Sequence, residues 1–297
     1  MISNPHSSGT PVPLVVQQQG AGFPILCLHG HPGSADCMKV FTDVLSVEFC
    51  TITPDLRGYG KSQTRTLGAK LSPFTMQDHL TDLEALLDQL GIKKCLILGW
   101  SLGGILAMEL ALRNPDRFSG LILVATAAHP VSNVPQPTLP ELLCTLIAGG
   151  LNWLKPGWRW NIETFGRRSI LRHLLTQHTP TAYEFLAKAG TPATVKTSRY
   201  AHNALNMALA KRYNRIPDLA ILDCPCLVMS GENDLHILAQ ASRETATNLK
   251  NSQWVSYPKT AHLFPWEISA QVNQDIAQWL SGCGVSNKDH GFNNLQL

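Results

Sequence analysis

Short apolar runs recur along the chain at 25–28, 49–53, 95–98, 121–125, 226–229 and 254–257. Between them the periodicity changes. Leu80, Leu83, Leu87 and Leu90 stand three or four residues apart and Gly91 follows them, the pattern of an amphipathic helix that ends at a glycine. Asn114-Pro115 likewise stops the helix expected after residue 101. Nearly continuous apolar strands separated by helices predict a parallel sheet covered on both faces, an α/β architecture. Residues 12–18 are expected to add an antiparallel edge strand, because the prolines there suit an edge better than a centre.

Residues 130–216 break the alternation. Their helical and loop patterns, rich in proline, divide a core of 1–129 and 217–297. This insertion holds eleven basic residues (Lys155, Arg159, Arg167, Arg168, Arg172, Lys188, Lys196, Arg199, Lys211, Arg212, Arg215) and three acids (Glu141, Glu163, Glu184). Its net charge is therefore +8, against +3 for the whole chain. Solvated helix faces would account for that. So would an anionic partner: a carboxylate-bearing substrate, a phosphopantetheine carrier or an anionic membrane surface. Within the insertion, the apolar stretch 139–154 runs into Trp153-Leu154-Lys155-Pro156-Gly157-Trp158-Arg159-Trp160. Tryptophans beside basic residues suit peripheral contact at a water–lipid boundary. They suit better a helix packed over a greasy acyl pocket, and both alternatives favour a lipophilic substrate.

The chemistry centres on Gly99-Trp100-Ser101-Leu102-Gly103, set between an apolar strand and a helix-forming run. A strand that turns sharply into a helix needs residues without side chains at Gly99 and Gly103, and it lifts the serine hydroxyl above the sheet. A serine hydroxyl is a poor nucleophile until a neutral imidazole takes its proton and a carboxylate orients that imidazole. After 226–229 come Ser230-Gly231-Glu232-Asn233-Asp234, and after 254–257 come Pro258-Lys259-Thr260-Ala261-His262. Both candidates lie just beyond strand ends, where open α/β sheets build their sites. Asp234 would alternatively cap the segment that begins near Ile237. The first strand ends in His29-Gly30-His31-Pro32-Gly33, whose His31 amide could face that of Leu102 across an oxyanion. His29 and His31 make a weak metal case, lacking a carboxylate or thiol at suitable spacing, and are expected to hold the loop by hydrogen bonds. Trp100, Trp153 and Leu263 are candidates for the wall of a substrate pocket.

These residues, together with Asp55-Leu56-Arg57-Gly58-Tyr59-Gly60-Lys61-Ser62, resemble the α/β-hydrolase family over roughly residues 12–281, with little likeness across 130–216. The resemblance implies a mostly parallel sheet flanked by helices, an inserted helical cap that sets substrate choice, and the chain order Ser101, Asp234, His262. It makes Asp55 and Arg57 a structural loop. A serine nucleophile argues against haloalkane dehalogenases and epoxide hydrolases, whose nucleophile is aspartate. Proline iminopeptidases are similar at the His-Gly-x-Pro-Gly loop but carry a different elbow and acids for a substrate amine. The elbow and basic insertion are similar to the pimeloyl-carrier methyl-ester esterase. The implied activity is hydrolysis of a carboxylic ester, lipophilic or carrier-bound, through an acyl-enzyme and without cofactor or metal. A carbon–carbon bond hydrolase or a thioesterase is the alternative, ahead of a non-catalytic small-molecule receptor or a scaffold for an acidic protein.

Composition adds bounds. A chain of 297 residues with 44% hydrophobic and 15% charged residues is that of an ordinary soluble enzyme. Nothing resembles a nucleic-acid reading module. Met1 to Gln19 lacks a basic start followed by an apolar stretch, so no secretory signal is expected, and no run is long enough to span a bilayer. Of eight cysteines, Cys27, Cys50, Cys95 and Cys226 fall inside strand-like runs, and Cys224-Pro225-Cys226 is too short for a redox or zinc pattern, which favours a reducing, cytoplasmic setting. The first ten residues and the tail after Ser281 are expected to be loose.

Overall fold

The computed structural model describes residues 9–63 and 73–283; the termini expected to be loose lie largely outside them. Strands β1 (Val16–Gln19), β2 (Pro24–Leu28), β3 (Cys50–Pro54), β4 (Cys95–Trp100), β5 (Phe118–Val124), β6 (Cys226–Gly231) and β7 (Ser252–Tyr257) form one sheet in the order β1-β3-β2-β4-β5-β6-β7. All neighbours are parallel except β1, which runs antiparallel to β3 at the edge. This edge strand is shorter than its apolar pattern suggests. Pro11 and Pro13 have no N–H to give, while the N–H groups of Val12 and Val15 donate to Asp82 Oδ1 and Ser62 Oγ, each at 2.8 Å, instead of to a ladder.

Alternation across the sheet explains why the central strands β2 and β4 carry no polar side chain at any position. In β4, Cys95 and Ile97 pack with Leu83 and Leu87 of α2 (Met76–Gln89) and Leu106 of α3 (Leu102–Arg113). Leu96, Leu98 and Trp100 point the other way, against Phe41 of α1 (Lys39–Leu45) and helices nearer the C-terminus. Both faces are thus covered, as a central parallel strand requires. Helix α2 opens on a capping box between Thr75 and Asp78 and stops before Gly91, whose φ of +66° a side chain would disfavour.

The winding reverses between β2 and β4. Strand β2 has β3 on one side and β4 on the other, so the chain leaves the sheet in opposite directions at these two neighbours. The crevice in which open α/β sheets receive ligands opens at their carboxyl ends. His29 and Ser101 are the first residues beyond those ends.

Between β5 and β6 the chain forms α4 (Leu139–Leu154), α5 (Arg159–Thr164), α6 (Pro180–Phe185), α7 (Thr191–Val195) and α8 (Arg199–Ala210). It meets the loops at the strand ends through Leu263 N–H donating to Leu174 O (3.0 Å), Ser198 N–H donating to Gly58 O (2.8 Å) and a stack of Phe185 on Trp266 with ring centres 3.9 Å apart. Helices α9 (Ala239–Asn248), α10 (Phe264–Glu267) and α11 (Ser269–Gly282) complete the layers, α11 burying Val272 and Ile276 beside Phe41. One expectation is reversed. The apolar face of α4 does not pack over a pocket: Leu143, Leu146 and Trp153 are turned outward, and the helix buries Glu141, Ala148 and Asn152.

Candidate active site

Ser101 sits where β4 becomes α3. Its N–H donates to Val124 O (2.8 Å), so it still belongs to the ladder, while its φ of 53° and ψ of −115° throw the chain into the helix. A non-glycine residue held there stores on the order of 1–3 kcal/mol of backbone strain. The glycines on either side leave no choice. A Cβ on Gly99 would collide with the Gly103 carbonyl, and one on Gly103 with the Leu28 carbonyl at the end of β2.

Two loops bring partners to the serine. Ser101 Oγ lies 3.1 Å from His262 Nε2, and His262 Nδ1 lies 2.7 Å from Asp234 Oδ2. Asp234 and His262 are buried, while Ser101 is half-buried and reachable. The acid loop and the histidine loop are laced together: Glu232 N–H donates to Tyr257 O (3.0 Å) and Asn233 N–H to Thr260 O (2.8 Å). A Cβ on Gly231 would stand 2.6 Å from the Ala261 carbonyl, so glycine permits this approach. The capping alternative for Asp234 is not realised, since Leu238 stands at the N-cap of α9; Asp234 braces its own loop instead. Its other oxygen, Oδ1, accepts from the N–H groups of His236 (2.7 Å) and Ile237 (3.0 Å), and α9 begins only at Ala239.

The loop after β2 rests directly on the elbow. A Cβ at Gly30 would come within 3.2 Å of Ser101 Cβ and 2.9 Å of the Trp100 ring. Leu102, the first residue of α3, carries one of the amides that a helix leaves without an intrahelical partner. His31 precedes Pro32 through a cis peptide bond. The two histidines here secure the loop. Leu56 N–H donates to His29 Nε2 (3.1 Å), which fixes the ring proton on Nδ1, and that Nδ1 donates to Gly30 O (2.8 Å). His31 bonds the Tyr59 hydroxyl (2.7 Å) and His202 of α8 (2.9 Å), and burial with His202 nearby pushes its pKa down to about 4. Asp55 accepts from Ala35 N–H (2.7 Å) and Lys61 N–H (2.8 Å), and Arg57 forks onto Asp82 at 2.7 and 2.5 Å, so both hold the fold and stand outside the site.

Trp100 and Leu263 join this group. The Trp100 ring is 6.0 Å from that of His262 and 4.6 Å from that of Trp266, and Leu263 follows His262. Trp153 does not: it is 73% exposed on α4. Two residues near the site escaped sequence reasoning. His236 stacks on His262 with ring centres 5.1 Å apart, and burial with His262 alongside lowers its pKa to about 4. Glu267 accepts from Ala261 N–H (2.9 Å), Thr176 N–H (3.1 Å) and Gln177 N–H (2.5 Å), and so fastens the histidine loop to the inserted segment. A lone acid in the apolar run 263–268 was the available signal.

This elbow, at the reversal point of a mostly parallel sheet, has a sequence counterpart. The pattern of the alpha/beta hydrolase fold matches residues 24–267. The chain belongs to the alpha/beta hydrolase family. A haloalkane dehalogenase from Mesorhizobium japonicum is 26% identical to this hydrolase over 92% of the chain and 89% of its own length. A 2-hydroxymuconate semialdehyde hydrolase from Pseudomonas putida is 27% identical over 83% of each chain. Among solved structures, a thermophilic esterase from Thermogutta terrifontis superposes with a TM-score of 0.65 at 26% identity, covering 91% of this chain and 93% of its own. These three relatives are hydrolases, and this protein is one. Among the described residues no helix is long and apolar enough to cross a membrane.

Proposed function

We propose that this hydrolase cleaves carboxylic esters of apolar acids through an acyl-enzyme on Ser101. The observation that carries the reading is the unbroken chain of contacts from Ser101 Oγ to His262 Nε2 (3.1 Å) and from His262 Nδ1 to Asp234 Oδ2 (2.7 Å). In this reading His262 accepts the serine proton at Nε2 as Oγ attacks the ester carbonyl. Asp234 keeps the imidazole in the tautomer whose Nε2 is free to do so and stabilises the imidazolium that forms. The N–H groups of Leu102 and His31 receive the oxyanion. His262 returns the proton to the leaving alcohol, then takes one from the water that frees the acid.

Serine at the elbow separates this reading from displacement by a carboxylate, the chemistry expected of dehalogenase relatives. Trp100, Leu263, Trp266 and Phe185 give the site an apolar side, which supports an apolar acyl group over acetate. Residues 130–216 act as a cap, joined to the site by the contacts of Leu174 and Phe185, and the 1–129 and 217–297 segments form the core. Similarity to the 2-hydroxymuconate semialdehyde hydrolase favours carbon–carbon bond cleavage as the second reading.

The test is a fluorophosphonate probe followed by a substrate panel. The probe is expected to label Ser101 and no serine in the Ser101→Ala protein. Octanoate and butyrate esters are expected to turn over faster than acetate, and all of them faster than a vinylogous 1,5-diketone ring-cleavage product or an acyl-carrier methyl ester. Undiminished turnover in Ser101→Ala sinks the mechanism. Preference for the diketone moves the protein to the second reading, and preference for acetate removes the apolar acyl group.

A further inference from the structure

Helix α4 is inside out. Its inward stripe is Glu141, Thr145, Ala148 and Asn152, and every member is used in a hydrogen bond. Glu141 accepts from Thr138 N–H (2.8 Å) and pairs with Arg172 (2.7 Å) and His173 (3.1 Å). Ile170 N–H donates to Thr145 Oγ1 (3.0 Å), Asn161 donates to Ala148 O (2.9 Å) and Asn152 donates to Tyr183 O (2.7 Å). The opposite stripe carries Leu139, Leu143, Leu146, Trp153 and Leu154, which are 60–77% exposed. Spacings of three, four and seven residues put them on one face of the helix. Among the described residues the core is built without this face. A contiguous apolar surface of this kind marks a site of association.

The surroundings say with what. The only acid in α4 is Glu141, and it is buried and paired, so the outward face is free of negative charge. At the C-terminal end of α4, Lys155 lies 5.2 Å over the ring of Trp158, which packs on Trp160 with ring centres 5.0 Å apart. Trp160 is itself exposed. Among the described residues Lys155, Arg159 and Arg168 have no acidic partner, whereas Arg167 pairs with Glu163. Leucines flanked by tryptophans and free basic residues match the three layers of an anionic bilayer surface: acyl chains, the amphipathic boundary, phosphate headgroups. A second copy of this chain is the poorer fit, because an isologous contact on this face would bring two sets of unpaired basic residues together.

We infer that α4 docks this protein on anionic lipid surfaces, with Leu143, Leu146 and Trp153 entering the acyl boundary and Lys155, Arg159 and Arg168 reaching headgroup phosphates. This goes beyond the ester-hydrolase reading and does not depend on it. The experiment is co-sedimentation of the full chain with vesicles of phosphatidylcholine alone and of equal parts phosphatidylcholine and phosphatidylglycerol. Wild type is expected to bind the mixed vesicles and to bind pure phosphatidylcholine at least tenfold more weakly. Leu143→Asp/Leu146→Asp is expected to lose binding to both while keeping its melting temperature, and Val47→Asp, at an equally exposed apolar position elsewhere, to bind as wild type. Lys155→Glu/Arg159→Glu is expected to weaken binding to the mixed vesicles alone, by on the order of fivefold per residue. Ser101→Ala is expected to bind as wild type, so a failed hydrolase reading leaves this test intact. No binding to the mixed vesicles, or binding that survives Leu143→Asp/Leu146→Asp, overturns the inference. So does a lipid-free dimer that Leu146→Asp splits.

Discussion

Asp234 holds His262 with one carboxylate oxygen and its own loop with the other: Oδ2 faces His262 Nδ1 at 2.7 Å, and Oδ1 takes the N–H groups of His236 and Ile237. The two duties are separable by substitution. Asp234→Asn keeps an acceptor for the loop but turns an amide toward Nδ1, which favours the wrong imidazole tautomer. Its kcat is expected to fall roughly ten-thousand-fold with little change in stability. Asp234→Ala is expected to lose comparable activity and about 1–3 kcal/mol of stability besides, because two backbone donors lose their partner. Steady-state kinetics together with urea denaturation separate the two outcomes. Equal stability loss in both variants would mean that the loop does not rely on Oδ1.

In the proposed mechanism the elbow sets activity against stability at a single residue. Ser101 holds a φ of 53°, a conformation that glycine adopts freely and serine does not. Ser101→Gly is therefore expected to be inactive yet about 1 kcal/mol more stable than wild type. Ser101→Ala, which retains the Cβ, is expected to be inactive without that gain. Thermal unfolding followed by circular dichroism distinguishes them, and a Ser101→Gly protein that melts below Ser101→Ala would show the backbone there to be unstrained.

Much of this arrangement was legible in the sequence, for reasons that differ by residue. Strands β2, β4 and β5 declared themselves because burial on both faces demands apolar residues along nearly their whole length. Gly99 and Gly103 declared the elbow because backbone contacts a side chain would prevent are local to that turn. The sidedness of α4 was not legible. An apolar stripe has the same period whether it faces a core or solvent, and only the partners of Glu141, Thr145 and Asn152 decide which stripe is inside. Glu267 was hidden for a related reason: its worth lies in three N–H groups, two of them supplied some ninety residues earlier in the chain.

That position yields a further prediction. Glu267 is buried, and desolvation raises its pKa, yet it is the shared acceptor that ties Ala261, beside His262, to Thr176 and Gln177. Glu267→Ala leaves three donors unsatisfied and is expected to cost roughly 2–5 kcal/mol. Loosening of the histidine loop is expected to lower kcat more than it raises KM. Glu267→Gln retains one acceptor oxygen and is expected to recover part of both losses. A Glu267→Ala enzyme with wild-type kcat at a temperature where it is fully folded would place the carboxylate outside the positioning of His262.

Acid should unfold the protein through buried neutral imidazoles. Burial, with Arg57 close by, lowers the pKa of His79 from 6.5 to about 3, and burial lowers those of His31 and His236 to about 4. The native state keeps these rings neutral while the unfolded chain protonates them near the ordinary value, so between those limits the unfolded state binds more protons. Stability from these groups is complete above pH 6.5 and declines as the pH falls toward 4 and, for His79, toward 3. Each contributes a slope of up to about 1.4 kcal/mol per pH unit within its window. His79 lies outside the candidate site, packed against the rings of Tyr59 and Phe74, so it can be replaced without touching the chemistry. The expected outcome for His79→Leu is a shallower fall of denaturation free energy between pH 6 and pH 4, with the profile of ester turnover across neutral pH unchanged. A His79→Leu protein whose stability falls with pH as steeply as that of wild type would show that His79 is charged in the native state.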